Sequence, residues 1–223
     1  MKKKTFSLRT LPKMVLSRLT MQQWFQRMLL PFGKELRPER WIFVVGCYNS
    51  GTTLLASILR QHPLLAGLPA EGAFLTDSLP YPEQFGWPRM WCECQDKMRL
   101  GIGPDGARLA LRIKKHWSIW YPRDAINLVE KSVANTARIP YLNEYFAPAY
   151  FIYIIRNGYV ISKSIQDKAN LNRWKNPIYH ERYPIELCAK QWDVTDEVVD
   201  GLTFEELIGA LLQAEDLAKD SDN

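Results

Sequence analysis

A glycine-bounded loop carries the residue types that bind a phosphate group. The segment Gly46-Cys-Tyr-Asn-Ser-Gly-Thr-Thr53 follows the apolar run Trp41–Val45 and precedes a stretch with helical periodicity. Such a turn presents successive backbone N–H groups, and the start of the next helix adds positive potential. Glycines at positions 46 and 51 allow backbone angles and close approach that a Cβ would block. The loop is therefore predicted to bind a phosphate or a similar anion.

The loop departs from the pattern of a triphosphatase. The spacing of its two glycines matches the Walker A motif, but Thr52 stands where that motif has lysine. A triphosphatase needs this lysine on the β- and γ-phosphates, with a Mg²⁺ site beside it. The substitution argues against a P-loop kinase, which stays a weaker alternative. The residues predicted to contact the anion are Asn49, Ser50, Gly51, Thr52 and Thr53.

A second anion site is predicted after a later strand. Arg156 follows the apolar run Tyr150–Ile155, and Ser164 lies eight residues further on, within a predicted helix, Val160–Lys168. A guanidinium and a hydroxyl that converge on one phosphate form strong, charge-assisted hydrogen bonds. The residues alone leave open a simpler interpretation, in which the arginine closes a strand and the serine is exposed.

Strands and helices alternate through the chain. Alternation of this kind implies parallel strands joined by right-handed crossovers, so we predict an α/β fold with a parallel sheet flanked by helices. The carboxyl ends of such strands form one crevice, where ligands bind. The predicted strands are Trp41–Val45, Ala125–Val129 and Tyr150–Ile155, and the predicted helices are Thr53–Gln61, Ile139–Phe146, Val160–Lys168, Ile185–Val199 and Thr203–Lys219.

The positive charge is concentrated before Trp41. Ten basic and two acidic residues precede it, so residues 1–40 carry a net charge of +8 and the remaining chain carries −3. We predict a basic N-terminal extension over residues 1–40 and one α/β domain over residues 41–223. The body is not basic, which argues against a nucleic-acid partner. The apolar positions between Leu16 and Leu29 recur at roughly helical intervals, which fits either a helix on an anionic membrane surface or one packed on the body.

The cysteines predict neither a disulfide framework nor a metal site. Four cysteines in 223 residues are too few for a disulfide scaffold, and Cys92-Glu-Cys94 is too closely spaced for a zinc knuckle. No segment approaches the length of a membrane span. We therefore predict a cytoplasmic protein with free thiols, with peripheral membrane contact through the N-terminus as the open alternative.

Together these motifs resemble the sulfotransferase superfamily, and more particularly its tyrosylprotein and bacterial branches. The family's loop reads approximately P-R-S-G-T-T-L, and here it is Tyr48-Asn-Ser-Gly-Thr-Thr-Leu54. The family's arginine and serine, eight residues apart, are similar to Arg156 and Ser164. Other similar segments within residues 41–200 are His62-Pro63 followed by Glu71, Glu130-Lys131-Ser132, and Ala189-Lys-Gln-Trp192.

The resemblance implies transfer of a sulfuryl group from 3′-phosphoadenosine 5′-phosphosulfate (PAPS) to an acceptor hydroxyl, without a metal ion. The acceptor classes that it implies are carbohydrates, phenols, peptide tyrosines and lipids. The loop would hold the 5′-phosphosulfate, and Arg156 and Ser164 would hold the 3′-phosphate. Glu71 would act as the general base and Lys131 as the cation on the leaving group.

Some assignments within this resemblance stay open. His62 and His116 are alternative bases, and neighbouring Leu65, Leu68 and Phe74 are expected to desolvate the Glu71 carboxyl. Asn49 replaces the loop's usual arginine or lysine. The family continues past the tryptophan helix, so an incomplete C-terminal part is expected here. Both departures favour a second hypothesis, that the chain binds nucleotide without catalysis.

Overall fold

The computed structural model describes residues 22–200. The predicted helix Thr203–Lys219 and the first half of the basic extension lie outside these residues. Four strands form one sheet, all of them parallel, in the order β2-β3-β1-β4. Their bounds are β1 Arg40–Gly46, β2 Leu65–Gly67, β3 Asn127–Glu130 and β4 Ala149–Ile154.

Helices flank this sheet and connect its strands. The α-helices within the described residues are α1 Gln23–Leu29, α2 Thr52–Leu59, α3 Gln95–Met98, α4 Pro104–Ser118, α5 Ile139–Tyr145, α6 Gly158–Lys168, α7 Leu171–Trp174 and α8 Ile185–Asp200. Short 3₁₀ helices occupy much of the chain between β2 and α3, and another, Val133–Arg138, leads into α5. The predicted parallel α/β fold is confirmed.

Strand β1 is the centre of the sheet because both of its faces are apolar. Successive side chains of a strand point to opposite faces. Trp41, Phe43 and Val45 belong to the large core on one face, while Ile42 and Val44 pack on the other face with residues of α2. The strand pairs with β3 on one side and with β4 on the other, so the three predicted strands are neighbours.

The structure corrects the bounds of the third strand. It was predicted at residues 125–129, but Ile126 is exposed and the ladder runs from Asn127 to Glu130. The strand includes Glu130, whose buried carboxyl is hydrogen-bonded on both oxygens. Strand β2 and helix α4 were not predicted, because β2 has only three residues and α4 follows a cluster of glycines.

Helix α1 packs on the body of the protein. Phe25 is buried, and the Gln26 side chain donates to the Phe74 carbonyl at 3.1 Å. The Gln26 carbonyl lies 3.0 Å from Nε2 of buried His116. For this part of the extension, the structure supports packing on the body. None of the helices described for residues 22–200 has the length and apolar character needed to cross a membrane.

Candidate active site

The glycine-bounded loop leaves β1 with left-handed backbone at three positions. Gly46 has φ 138°, Asn49 has φ 64° and Gly51 has φ 109°. A Cβ at Gly46 would lie 2.7 Å from the Ile154 carbonyl oxygen of neighbouring β4, so this position requires glycine. Thr136 Oγ1 accepts from the Gly46 N–H at 3.1 Å, which ties the loop to the chain after β3. The loop therefore turns sharply between two fixed ends.

The polar side chains of the loop differ in what they can offer to a ligand. Ser50 Oγ donates to the Cys47 carbonyl at 2.8 Å, so this hydroxyl braces the loop itself. Thr52 is buried at the first turn of α2, whereas Thr53 is exposed. A Cβ built on Gly51 meets no atom within 4 Å, so there is open space beside this residue. The open part of the loop is thus its second half, at the start of α2.

Two arginines reach Asn49 from different segments. Arg89 donates to Asn49 Oδ1 at 2.8 Å, and Arg156 donates to the Asn49 backbone carbonyl at 3.3 Å. Asn49 Nδ2 is buried, and within residues 22–200 it has no hydrogen-bond partner. Sequence reasoning missed Arg89, because it lies in a proline-rich stretch without periodicity. The sequence signal that could have prompted a search for a substitute cation was the absence of an arginine or lysine at position 49.

Glu71 and Lys131 form an ion pair beside the loop. Lys131 Nζ lies 2.5 Å from Glu71 Oε1, and the two side chains are 14% and 26% exposed. A cavity of about 120 Å³ is lined by both residues together with Thr53 of α2. The structure therefore brings the predicted base, the predicted leaving-group cation and the phosphate loop to one crevice.

Hydrogen bonds join the backbone that follows Glu71 to the side chains that flank Lys131. The Gly72 N–H donates to Glu130 Oε1 at 2.8 Å, and the Ala73 N–H donates to Ser132 Oγ at 3.2 Å. The residues that follow Glu71 are thus bonded to the residues that flank Lys131. Trp117, which is fully buried in the core, donates from Nε1 to the Gly72 carbonyl at 3.0 Å. We call residues 71–73 and 130–132 the clamp, because they hold the ion pair in one geometry.

Two carboxyls near the site, buried Glu130 and half-buried Glu83, have raised pKa values. Burial raises the pKa of Glu130 to about 7, although hydrogen bonds from Ser132 and Gly72 lower it. Burial likewise raises the pKa of Glu83 to about 7, with the Glu71 carboxylate raising it further and Arg89 lowering it. Sequence reasoning did not single out Glu83 and predicted Glu130 to follow a strand.

Comparisons with known proteins identify the family of this chain. The family model described as "Sulfotransferase family" matches residues 41–198. The chain belongs to the sulfotransferase family. A solved structure titled "Sulfotransferase Domain from the Curacin Biosynthetic Pathway" is 18% identical with a TM-score of 0.43; the alignment covers 78% of this chain and 66%, just under two thirds, of that one. No curated protein matches the chain.

In this member of the sulfotransferase family, the residues predicted to hold a 3′-phosphate are held by fewer contacts than the clamp. Arg156 is exposed at the end of β4, and Ser164 is half-buried on α6. Among the described residues, no hydrogen bond joins the two side chains. Trp192 of α8 donates to the Arg156 carbonyl at 3.0 Å and packs over Gly158, so the segment similar to the family's tryptophan helix fixes the turn between β4 and α6.

The expected surroundings of Glu71 are only partly correct. Leu68 lines the same cavity as the carboxylate. Phe74, however, packs edge-on against Tyr81, with ring centroids 4.9 Å apart, and Leu65 is part of β2. The Glu71 carboxylate is hydrogen-bonded to the charged Lys131 side chain, so its surroundings are not purely apolar.

The two histidines proposed as alternative bases lie away from the crevice. His62 Nδ1 accepts from the Leu64 N–H at 3.3 Å in an exposed turn. His116 is buried between Thr76 Oγ1 at 2.8 Å and the Gln26 carbonyl. Neither residue lines the cavity shared by Glu71 and Lys131. Within residues 22–200, no cluster of three or more His, Cys, Asp or Glu side chains is arranged to hold a metal ion.

Proposed function

We propose that this chain transfers the sulfuryl group of PAPS to an acceptor hydroxyl. The observation that carries the proposal is the shared cavity in which the start of α2 meets the Glu71–Lys131 pair. Membership of the sulfotransferase family supports the class of reaction. An anion site joined to a fixed carboxylate and a fixed cation is what sulfuryl transfer to a hydroxyl requires.

The loop offers several features that fit the phosphosulfate end of PAPS. Gly51 has open space beside it, and the N-terminus of α2 adds positive potential there. Asn49 Nδ2 is a buried donor that lacks a partner in the described part of the chain. Buried donors in folded proteins are nearly always paired, so an orphaned one beside a candidate anion site supports a bound acceptor atom.

The 3′-phosphate of the nucleotide would be held by Arg156 and Ser164. Arg156 contacts the loop through the Asn49 carbonyl, which supports a role for its guanidinium beside the predicted anion site. Ser164 lies almost two turns into α6, on the helix that begins directly after the Arg156 turn. A guanidinium paired with a phosphate gives strong and directional hydrogen bonds.

Glu71 would remove the proton from the acceptor hydroxyl. The acceptor oxygen then forms a bond to sulfur, while the bond from sulfur to the bridging oxygen of PAPS breaks. The electron pair of that bond remains on the leaving phosphate, and Lys131 balances its charge. A positioned base typically contributes about 10²–10⁴-fold to such a rate, and a preorganised charge about 10²–10³-fold.

The acceptor classes expected from the resemblance remain the candidates. The carboxylate of Glu71 is partly exposed, so a hydroxyl of a carbohydrate, a phenol, a peptide tyrosine or a lipid can reach it. We infer a cytoplasmic protein, with contact to an anionic membrane surface through the basic N-terminus as the alternative.

Calorimetry with adenosine 3′,5′-bisphosphate, compared with ATP plus Mg²⁺, tests the donor. The proposal predicts clear binding of the bisphosphate, weaker binding of ATP, and release of bisphosphate from PAPS when a phenolic or sugar hydroxyl is supplied. A preference for ATP with Mg²⁺ would contradict the proposal in favour of a kinase. Binding of the bisphosphate without transfer to any acceptor would favour the non-catalytic alternative.

A further inference from the structure

Arg89 has an uncommon backbone conformation. Among the described residues, Asn49, Arg89 and Lys175 are the non-glycine residues with positive φ, and Arg89 has φ 60°. Such a conformation is strained for an arginine, and it persists where the surroundings determine it. Two of these three residues, Asn49 and Arg89, are hydrogen-bonded to each other through their side chains. Unusual backbone angles at two contacting residues point to a shared role.

The segment that carries Arg89 is firmly anchored. Met90 and Trp91, which follow it, are completely buried. The Pro88 carbonyl accepts from the Tyr183 hydroxyl at 3.2 Å, and the Met90 N–H donates to the Trp87 carbonyl at 3.0 Å. These contacts fix the backbone on both sides of Arg89. Its guanidinium is thus presented to the loop from a rigid support.

Arg89 brings positive charge to a loop that has none of its own. Residues 46–53 contain neither lysine nor arginine. Within residues 22–200, the described ion pairs do not include Arg89, whose side-chain partner is the neutral Asn49 amide oxygen. The side chain is half-buried, so its charge is screened less than that of exposed Arg156. A half-buried guanidinium whose side-chain hydrogen-bond partner is neutral, at the edge of an anion loop, is suited to bind an anion.

The two arginines reach the loop from different segments of the chain. Arg89 lies between β2 and α3 and donates to the Asn49 side chain. Arg156, in contrast, approaches the loop from the end of β4. The two arginines therefore contact different atoms of Asn49, Arg89 the side-chain oxygen and Arg156 the backbone carbonyl.

We propose that Arg89 binds the phosphosulfate end of the donor and supplies the cation that the loop lacks, with Asn49 orienting its guanidinium. This inference rests on the proposed function. Arg156 would serve the 3′-phosphate, so the two arginines divide the two anionic groups of one nucleotide. The positive charge that sulfotransferases place within the loop is supplied here from a different segment of the chain.

Calorimetry with three probes tests this division: adenosine 5′-phosphosulfate, adenosine 5′-phosphate and adenosine 3′,5′-bisphosphate. The first two carry about two negative charges each near pH 7.5 and differ in the sulfate group. Arg89→Asn removes the charge but keeps a residue type that tolerates left-handed backbone. We expect it to lower the preference for phosphosulfate over phosphate by about tenfold or more, the scale of a charge-assisted hydrogen bond.

Two further variants keep the result decisive. Arg89→Lys keeps the charge and should retain most of the phosphosulfate preference. Arg156→Ala should reduce the preference for the bisphosphate over adenosine 5′-phosphate and leave the phosphosulfate preference unchanged. Should Arg89→Asn fail to fold, Arg89→Gln removes the same charge while keeping most of the side-chain length.

The outcomes separate this inference from the proposed function. One outcome overturns the inference about Arg89 and leaves the proposed function standing. In this outcome the wild-type protein binds the bisphosphate, Arg156→Ala weakens that binding, and folded Arg89→Asn leaves the phosphosulfate preference intact. Equal losses in Arg89→Asn and Arg89→Lys would also overturn it, because charge would then not be the determinant. If the wild-type protein binds none of the three probes, the proposed function fails and the inference fails with it.

Discussion

The clamp and the Arg156 turn are both predicted to hold parts of the same nucleotide, but they are built differently. In the clamp, buried side chains of Glu130, Ser132 and Trp117 bond the backbone that carries Glu71. At the turn, exposed Arg156 is held through one side-chain contact and through its own carbonyl. Chemistry needs atoms placed within fractions of an ångström, whereas binding a phosphate tolerates adjustment. This difference fits the proposal that transfer takes place at the clamp and nucleotide capture at the turn.

Alanine substitutions at Gly72 in the clamp and Gly158 at the turn should show the largest difference in stability between the two regions. Both Gly72 and Gly158 lie under an indole ring: a Cβ at Gly72 would be 2.6 Å from Trp117, and one at Gly158 would be 2.9 Å from Trp192. Trp117 is fully buried, whereas Trp192 is half-buried and has room to shift. Gly72→Ala should therefore lower the free energy of unfolding by about 2–3 kcal/mol.

Gly158→Ala should cost at most about 1 kcal/mol, because alanine favours the helix and reduces the entropy of the unfolded chain. Urea denaturation of both variants measures the difference, with Gly101→Ala as a control in open space. Equal losses for the two variants would show that the clamp is no more rigid than the turn.

The clamp should also make stability depend on pH. A carboxyl whose pKa is higher in the folded state binds more protons when folded, so its contribution is full below about pH 4.5 and is lost as pH rises towards about 7. For Glu130 this loss should amount to about 1–3 kcal/mol. We expect the wild-type free energy of unfolding to fall between pH 5 and pH 8.

Denaturation across that pH range should show a shallower slope in Glu130→Gln than in the wild type. Glu83→Gln removes a second contribution of the same sign, since burial raises its pKa to about 7 as well. Glu144→Gln, an exposed residue of α5, is the control and should leave the slope unchanged. An unaltered slope in Glu130→Gln would mean that Glu130 does not titrate as its burial requires.

The Arg156 turn should show a smaller effect, confined to ligand binding. Because Arg156 is exposed, its loss should weaken adenosine 3′,5′-bisphosphate by about 1–2 kcal/mol, at the low end for charged hydrogen bonds. Adenosine 5′-phosphate should be affected far less. Lys163→Ala, which removes another exposed cation from the same region, controls for general electrostatics in the calorimetry. Equal weakening of both nucleotides would refute the assignment to the 3′-phosphate.

The sequence predicted the sheet better than it predicted the site. Continuous apolar runs that alternate with helical periods indicate parallel strands, and β1 could be read directly from residues 41–45. The crevice followed from the same topology. It brings together Thr53, Glu71 and Lys131, although residue 71 is far from residue 131 in the chain.

The remaining features of the site depend on tertiary contacts that leave no local pattern in the sequence. Arg89 reaches Asn49 across forty residues, and its left-handed backbone has no signature in the segment Pro88-Arg89-Met90. Glu130 could not be placed inside a strand, because only its buried partners make a carboxyl tolerable there. Ser50 was predicted to face the ligand, yet its hydroxyl donates to the loop's own Cys47 carbonyl.

The most direct test of the account is sulfuryl transfer by Glu71→Gln, measured together with binding of adenosine 3′,5′-bisphosphate. Glutamine keeps the shape of the side chain but cannot take up the proton of an acceptor hydroxyl. The account predicts that transfer from PAPS falls by about 100-fold or more, while the dissociation constant of the bisphosphate stays within about threefold. Transfer at the wild-type rate in a variant that still binds the nucleotide would contradict it.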